Sequence, residues 1–101
     1  MQVTITTEAD KLNVVIHGEI DHHSVTELRD SVDGQILQSR PQTIRLDFSG
    51  VTFMDSSGIG FIMGRYKLAR EYGGRVVVAG TGKKTRTILE MAGLARYVTI
   101  L

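Results

Sequence analysis

Apolar residues occupy alternate positions at the start of the chain: Val3 and Ile5, then Leu12, Val14 and Ile16, with polar residues between them. This period of two predicts two strands joined as a hairpin across Glu8, Ala9, Asp10 and Lys11. A loop is expected over Gly18-Glu19-Ile20-Asp21-His22-His23. From Val25 the period lengthens, and Val25, Leu28, Val32 and Ile36 recur at helical spacing. Ser24 with Glu27 three residues on reads as a capping box for this helix. Pro41 stops it by Arg40, because the residue before a proline is biased towards extended backbone. Ile44, Leu46 and Phe48 alternate with Thr43, Arg45 and Asp47 as a third strand, after which residues 49–57 are expected to turn.

A second helix follows over residues of about 57–72, with Ile59, Ile62, Met63, Tyr66 and Ala69 along one stripe. Its charges begin only at Arg65, so its first half is expected to be the more buried. Gly73 and Gly74 end it, glycine being the residue that accepts a left-handed backbone at a helix C-terminus. Residues 75–79 read as a short, largely buried strand. Gly80-Thr81-Gly82 then turns into a third helix carrying Ile88, Leu89 and Ala92 and stopped at Gly93, and residues 97–101 close the chain as a strand. The order ββαβαβαβ defines an α/β fold: a small mixed sheet of about five strands packed with three helices, parallel beyond the opening hairpin.

With 101 residues the chain forms a single domain spanning residues 1–101. Twelve basic and eleven acidic residues leave a net charge of +1, which argues against a nucleic-acid binder that works by neutralising phosphates. The lack of cysteine removes disulfides, iron–sulfur clusters and thiolate zinc sites. No apolar stretch approaches the ~20 residues of a membrane helix, and residues 1–6 lack the basic start and apolar stretch of a signal peptide. A cytoplasmic protein with neither membrane nor nucleic acid as partner is expected.

Several motifs fail on spacing. Gly80-Thr81-Gly82-Lys83-Lys84-Thr85 lies between strand and helix, but a P-loop needs glycine where Val77 stands and a hydroxyl where Lys84 stands. Gly58, Gly60 and Gly64 are spaced G-x-G-x-x-x-G, not as a dinucleotide fingerprint; close packing of the helix on the sheet is the expectation for Gly60 and Gly64. A hydrolase elbow needs glycine two residues before its serine, where Met54 and Asp55 precede Ser56 and Ser57. His22 and His23 are adjacent, so their side chains are expected to diverge, and both seldom bind one ion. Asp21 suits either a helix start or a binding role. Ser56 and Ser57 stand out: one serine can cap a helix, worth ~1 kcal/mol, but two hydroxyls exceed what one cap needs. A hydroxyl at a helix N-terminus is also suited to carry phosphate, since the dipole and free N–H groups favour negative charge.

These residues resemble a known family. Phe53-Met54-Asp55-Ser56-Ser57-Gly58-Ile59-Gly60, continuing to Gly64-Arg65-Tyr66-Lys67, resembles the anti-sigma factor antagonists of the STAS domain family. Gly18-Glu19-Ile20-Asp21-His22-His23 is similar to the loop before the first helix in its sporulation-type members, and Met91-Ala92-Gly93-Leu94 to the end of the third helix. The resemblance implies a phosphorylation switch and not an enzyme, with no catalytic residues, cofactor or metal of its own. The unmodified antagonist binds an anti-sigma factor that is also a serine kinase, with ATP held by the kinase, and so releases the sigma factor. Phosphorylation of the motif's first serine ends binding, and a serine phosphatase restores it.

Carried onto this chain, the resemblance makes Ser56 the acceptor, places Asp21, His22, Asp55, Ser56, Ser57 and Gly58 on the partner-binding surface, and implies a monomer when free. Two departures are visible: sporulation members continue into a further helix where this sequence stops at Leu101, and no proline stands near the start of the third helix. The other readings are a STAS module serving a transporter or signalling scaffold, and a small serine hydrolase. The Asp-Ser-Ser-Gly motif favours the switch.

Overall fold

A computed structural model describes residues 1–101. The elements run β1 (Gln2–Glu8), β2 (Lys11–Ile20), α1 (Val25–Ser39), β3 (Thr43–Met54), α2 (Ser56–Arg70), β4 (Arg75–Ala79), α3 (Lys83–Met91), one 3-10 turn (Leu94–Arg96) and β5 (Thr99–Ile100). The five strands lie in one sheet in chain order; β1 and β2 pair antiparallel and every later pair is parallel. This is the mixed sheet with three helices that the pattern predicts. No helix is long and apolar enough to cross a membrane.

Alternation decides which side of the sheet the helices cover. Leu12, Val14 and Ile16 on β2, Ile44, Leu46 and Phe48 on β3, and Val76 and Val78 on β4 are buried, and they pack with Leu28, Val32 and Ile36 of α1, Phe61, Ile62 and Ala69 of α2, and Leu89 of α3. A period of two meets a period of 3.6 across a single apolar layer.

The middle of the sheet departs from the sequence reading. β2 continues to Ile20, so only residues 21–24 form the turn before α1, and β3 continues to Met54 where a turn was expected from residue 49. The cause is irregular pairing. The β2–β3 register shifts between Val15 and His17 and again between Gly18 and Glu19. Gly50 faces His17 there, and a Cβ on it would collide with the His17 imidazole and stand 2.9 Å from the Ile16 carbonyl oxygen. Ser49-Gly50 thus marks a bulged strand, not a turn.

Arg40 closes α1 in a left-handed conformation, φ 43° and ψ 60°, and not in the extended backbone expected before Pro41. β5 comprises only Thr99 and Ile100. Gly60 and Gly64 do not mediate close packing, for a Cβ on either would meet nothing within 4 Å. Arg65 is buried although it was expected to begin the wetter half of α2.

Candidate functional site

β2 and β3 run parallel, so both end at the same edge of the molecule, and each hands the chain to a helix there. The Asp55 N–H donates to the Ile20 carbonyl at 3.1 Å, tying the two exits together. The turn holding Asp21 and His22 therefore lies beside the start of α2.

Each exit has an aspartate whose carboxylate accepts from backbone N–H groups. The Asp21 carboxylate accepts from the N–H groups of Ser24 at 2.9 Å and His23 at 3.0 Å. These bonds, that of Ser24 foremost, hold its carboxyl below the usual carboxylate range. Asp21 thus holds the turn ahead of α1, whose N-cap position is Ser24. Ser24 does not form the expected capping box: its hydroxyl accepts from the Asp21 N–H at 3.2 Å and donates to the Glu19 carbonyl at 3.1 Å. At α2 the cap is Asp55, in extended backbone, whose Oδ1 accepts from the Ser57 N–H at 2.8 Å. Ser56 is the first residue of α2 and is exposed. Neither serine serves as the cap, so the Ser56 hydroxyl is left facing outward at the positive end of a helix.

His22 reaches across from the first exit, its Nδ1 4.0 Å from Asp55 Oδ2. The His22 and His23 rings do not diverge as expected but lie against each other, centroids 4.0 Å apart and planes inclined at 38°. No three His, Asp or Glu side chains converge as a metal centre would require. Gly58 is buried because the Met54 side chain lies where its Cβ would be. All six residues expected at the binding surface, Asp21, His22, Asp55, Ser56, Ser57 and Gly58, therefore belong to the two adjoining exits.

Sequence reasoning passed over the apolar flank of this edge. Phe53 is 52% exposed at the end of β3, and Ile88 on α3 is 38% exposed. Thr52, Phe53 and Met54 form one wall of a shallow groove, with Lys84, Thr85 and Ile88 opposite. The signal for Phe53 was present, a bulky apolar residue that falls outside the Ile44-Leu46-Phe48 alternation, but it can be read only once β3 is known to reach Met54.

Residues 2–101 match the STAS domain family, and the chain belongs to it. It is 34% identical over 100 residues to the anti-sigma F factor antagonist of Paenibacillus polymyxa, covering 99% of this chain and 86% of that protein. It is 31% identical over 83 residues to the anti-sigma F factor antagonist of Lysinibacillus sphaericus, covering 82% of this chain and 71% of the relative. Among solved structures it is similar to the phosphorylated form of the Bacillus cell fate determinant SpoIIAA, with a TM-score of 0.78 and 26% identity over 99% of this chain and 91% of that one.

Proposed function

We propose that this protein is a cytoplasmic anti-sigma factor antagonist whose binding is ended by phosphorylation of Ser56. The unmodified chain docks through Asp21, His22, Asp55, Ser56 and Ser57, with the buried Gly58 packed beneath them against Met54, onto an anti-sigma factor that is a serine kinase, and so frees the sigma factor. The kinase supplies ATP and the general base. The Ser56 oxygen forms the new bond to the γ-phosphorus, the bond to ADP breaks, and the hydroxyl proton passes to the kinase. A serine phosphatase returns the chain to its binding form. The names of the relatives support the partner, and the phosphorylated structure of the similar Bacillus protein SpoIIAA supports the modification.

The observation that carries this reading is the division of labour at α2: Asp55 caps the helix, which leaves the exposed Ser56 hydroxyl free of that role. A phosphoserine carries about −1.5 to −2 charges. At the first position of α2 the dipole and the N–H groups favour that charge, so the fold tolerates it. The partner's catalytic acid and nucleotide phosphates do not. Two like charges ~6 Å apart at an effective dielectric of ~20 repel by roughly 3 kcal/mol, about a hundredfold in affinity.

The test is incubation with ATP and candidate anti-sigma kinases, followed by mass-spectrometric mapping. Label is expected on Ser56 alone, and Ser56→Ala should still bind the kinase while accepting none. Label on Ser57, or undiminished label in Ser56→Ala, overturns the assignment.

A further inference from the structure

Arg65 is the only charged residue buried in the core, its side chain 5% exposed. Its Nε lies 2.8 Å from Asp33 Oδ1 on α1, and its Nη2 donates to Asp33 Oδ2 at 3.3 Å. The guanidinium carbon stands 4.9 Å from the centroid of the Phe61 ring. The pair is not optimised for stability, since Arg65 Nη1 is buried without a partner and the close Nε–Oδ1 approach is not aligned as a hydrogen bond, which leaves the Nη2 donation as the pair's one hydrogen bond. Taking the guanidinium fully and the Asp33 carboxylate partly out of water costs about as much as their attraction returns, and apolar residues of similar volume would join two helices equally well. A directed N–H to carboxylate contact has another property: it accepts one arrangement, whereas apolar ridges tolerate sliding and rotation.

The position of the pair gives that property a consequence. α1 and α2 both begin at the proposed docking edge, where the Asp55 N–H to Ile20 carbonyl bond ties the cap of α2 to the end of β2, five residues before α1. Asp33 lies eight residues beyond Val25 and Arg65 nine beyond Ser56, so at 1.5 Å per residue the ion pair is a second tie about 12–14 Å along both helices. One tie leaves an axis free to swing; two fix its direction. We propose that Arg65 and Asp33 are positioning residues for the switch, setting the axis of α2 against α1 and with it the direction in which the Ser56 hydroxyl meets the kinase. This rests on the reading of Ser56 as the acceptor.

Asp33→Asn/Arg65→Met removes both charges and keeps the volume, and its thermal midpoint should stay within a few degrees of the parent. In its amide NMR spectrum the signals of residues 55–58 should move or broaden, while those of the β1–β2 hairpin stay in place. With the kinase that labels the parent, kcat for Ser56 should fall about tenfold or more with little change in KM, as expected for a misaligned acceptor. Asp33→Glu keeps both charges, and so folds even if the double variant does not. It lengthens the acidic arm by one methylene and should move the same amides. Unchanged amides at residues 55–58 in both variants overturn the proposal without any kinase, and so does a parent-like kcat where those amides have moved. A parent chain that takes no phosphate removes the acceptor reading instead, and the amide signals alone then decide whether the pair sets the start of α2.

Discussion

At the scale of single residues, the glycines separate what is structural from what is open. Gly50 sits where the bulged β2–β3 pairing draws two backbones together, and the Ile16 carbonyl oxygen cannot move aside for a Cβ. Gly50→Ala should therefore lower stability by about 1–3 kcal/mol, the usual penalty for forcing atoms into a packed site. Gly60, exposed within α2, has open space where its Cβ would be. Gly60→Ala should raise stability by about 0.5–1 kcal/mol, the helix-propensity difference between the two residues. Urea denaturation of both variants checks the pair, and a destabilised Gly60→Ala would mean that this glycine does pack closely. Their spacing in the sequence could not tell these roles apart. Both are single glycines within patterned segments, and what distinguishes them is a strand neighbour more than thirty residues away.

At the scale of elements, the strands and helices were legible wherever burial is one-sided, as in Leu12-Val14-Ile16 or Ile44-Leu46-Phe48. They were least legible at the ends that carry the site. The alternation of β3 ends at residue 49 because a bulge breaks the period of two, and the pattern puts Arg65 in the wet half of α2 because its partner, Asp33, lies on another helix. The Asp-Ser-Ser-Gly motif was read correctly as a helix start, but its cap is the aspartate. Asp55→Ala should accordingly cost about 1 kcal/mol, some 4–8 °C in midpoint, whereas Asp55→Asn keeps an accepting oxygen and should lose a few tenths. Equal losses in thermal melts would contradict the cap. Acid should act through two other turns. Asp47 accepts from the Ser49 N–H at 2.9 Å, and this bond first, with Arg45 nearby, holds its carboxyl below the usual range, as the Ser24 N–H does for Asp21. A lowered folded-state value means that the unfolded chain binds protons more readily. The stabilisation is thus complete above the unfolded value near pH 4 and is lost as pH falls through the folded one. Asp33, raised by burial against the opposing pull of Arg65, has the opposite sign. Melting curves should show Asp47→Asn flattening the decline below about pH 4; an unchanged slope would remove Asp47 from the account.

At the scale of the whole molecule, the sheet suits the proposed switch without needing to move. Its order brings the ends of β2 and β3 to one edge, and a single apolar cluster that runs from Leu12 to Val98 and includes Ile20 at the end of β2 holds them there. A phosphate added at Ser56 displaces no buried side chain and breaks no cap, because Asp55 keeps the Ser57 N–H. It changes the charge of an edge and little else. The phosphorylated chain should therefore melt within a few degrees of the unmodified one, with amide shifts confined to the turn at residues 21–24 and the first turn of α2. Its affinity for the kinase should nevertheless fall about a hundredfold, by the repulsion derived above. Repulsion at a surface is screened by salt, and the Debye length shrinks from ~30 Å at 0.01 M to ~3 Å at 1 M. The affinity gap between the two forms should narrow as salt rises, whereas a gap set by a refolded surface or by phosphate bulk would persist. Calorimetric titration of both forms across that range distinguishes the two: a gap independent of salt would show that the switch works by shape, and a melting point displaced by ten degrees or more would show that it works through the fold.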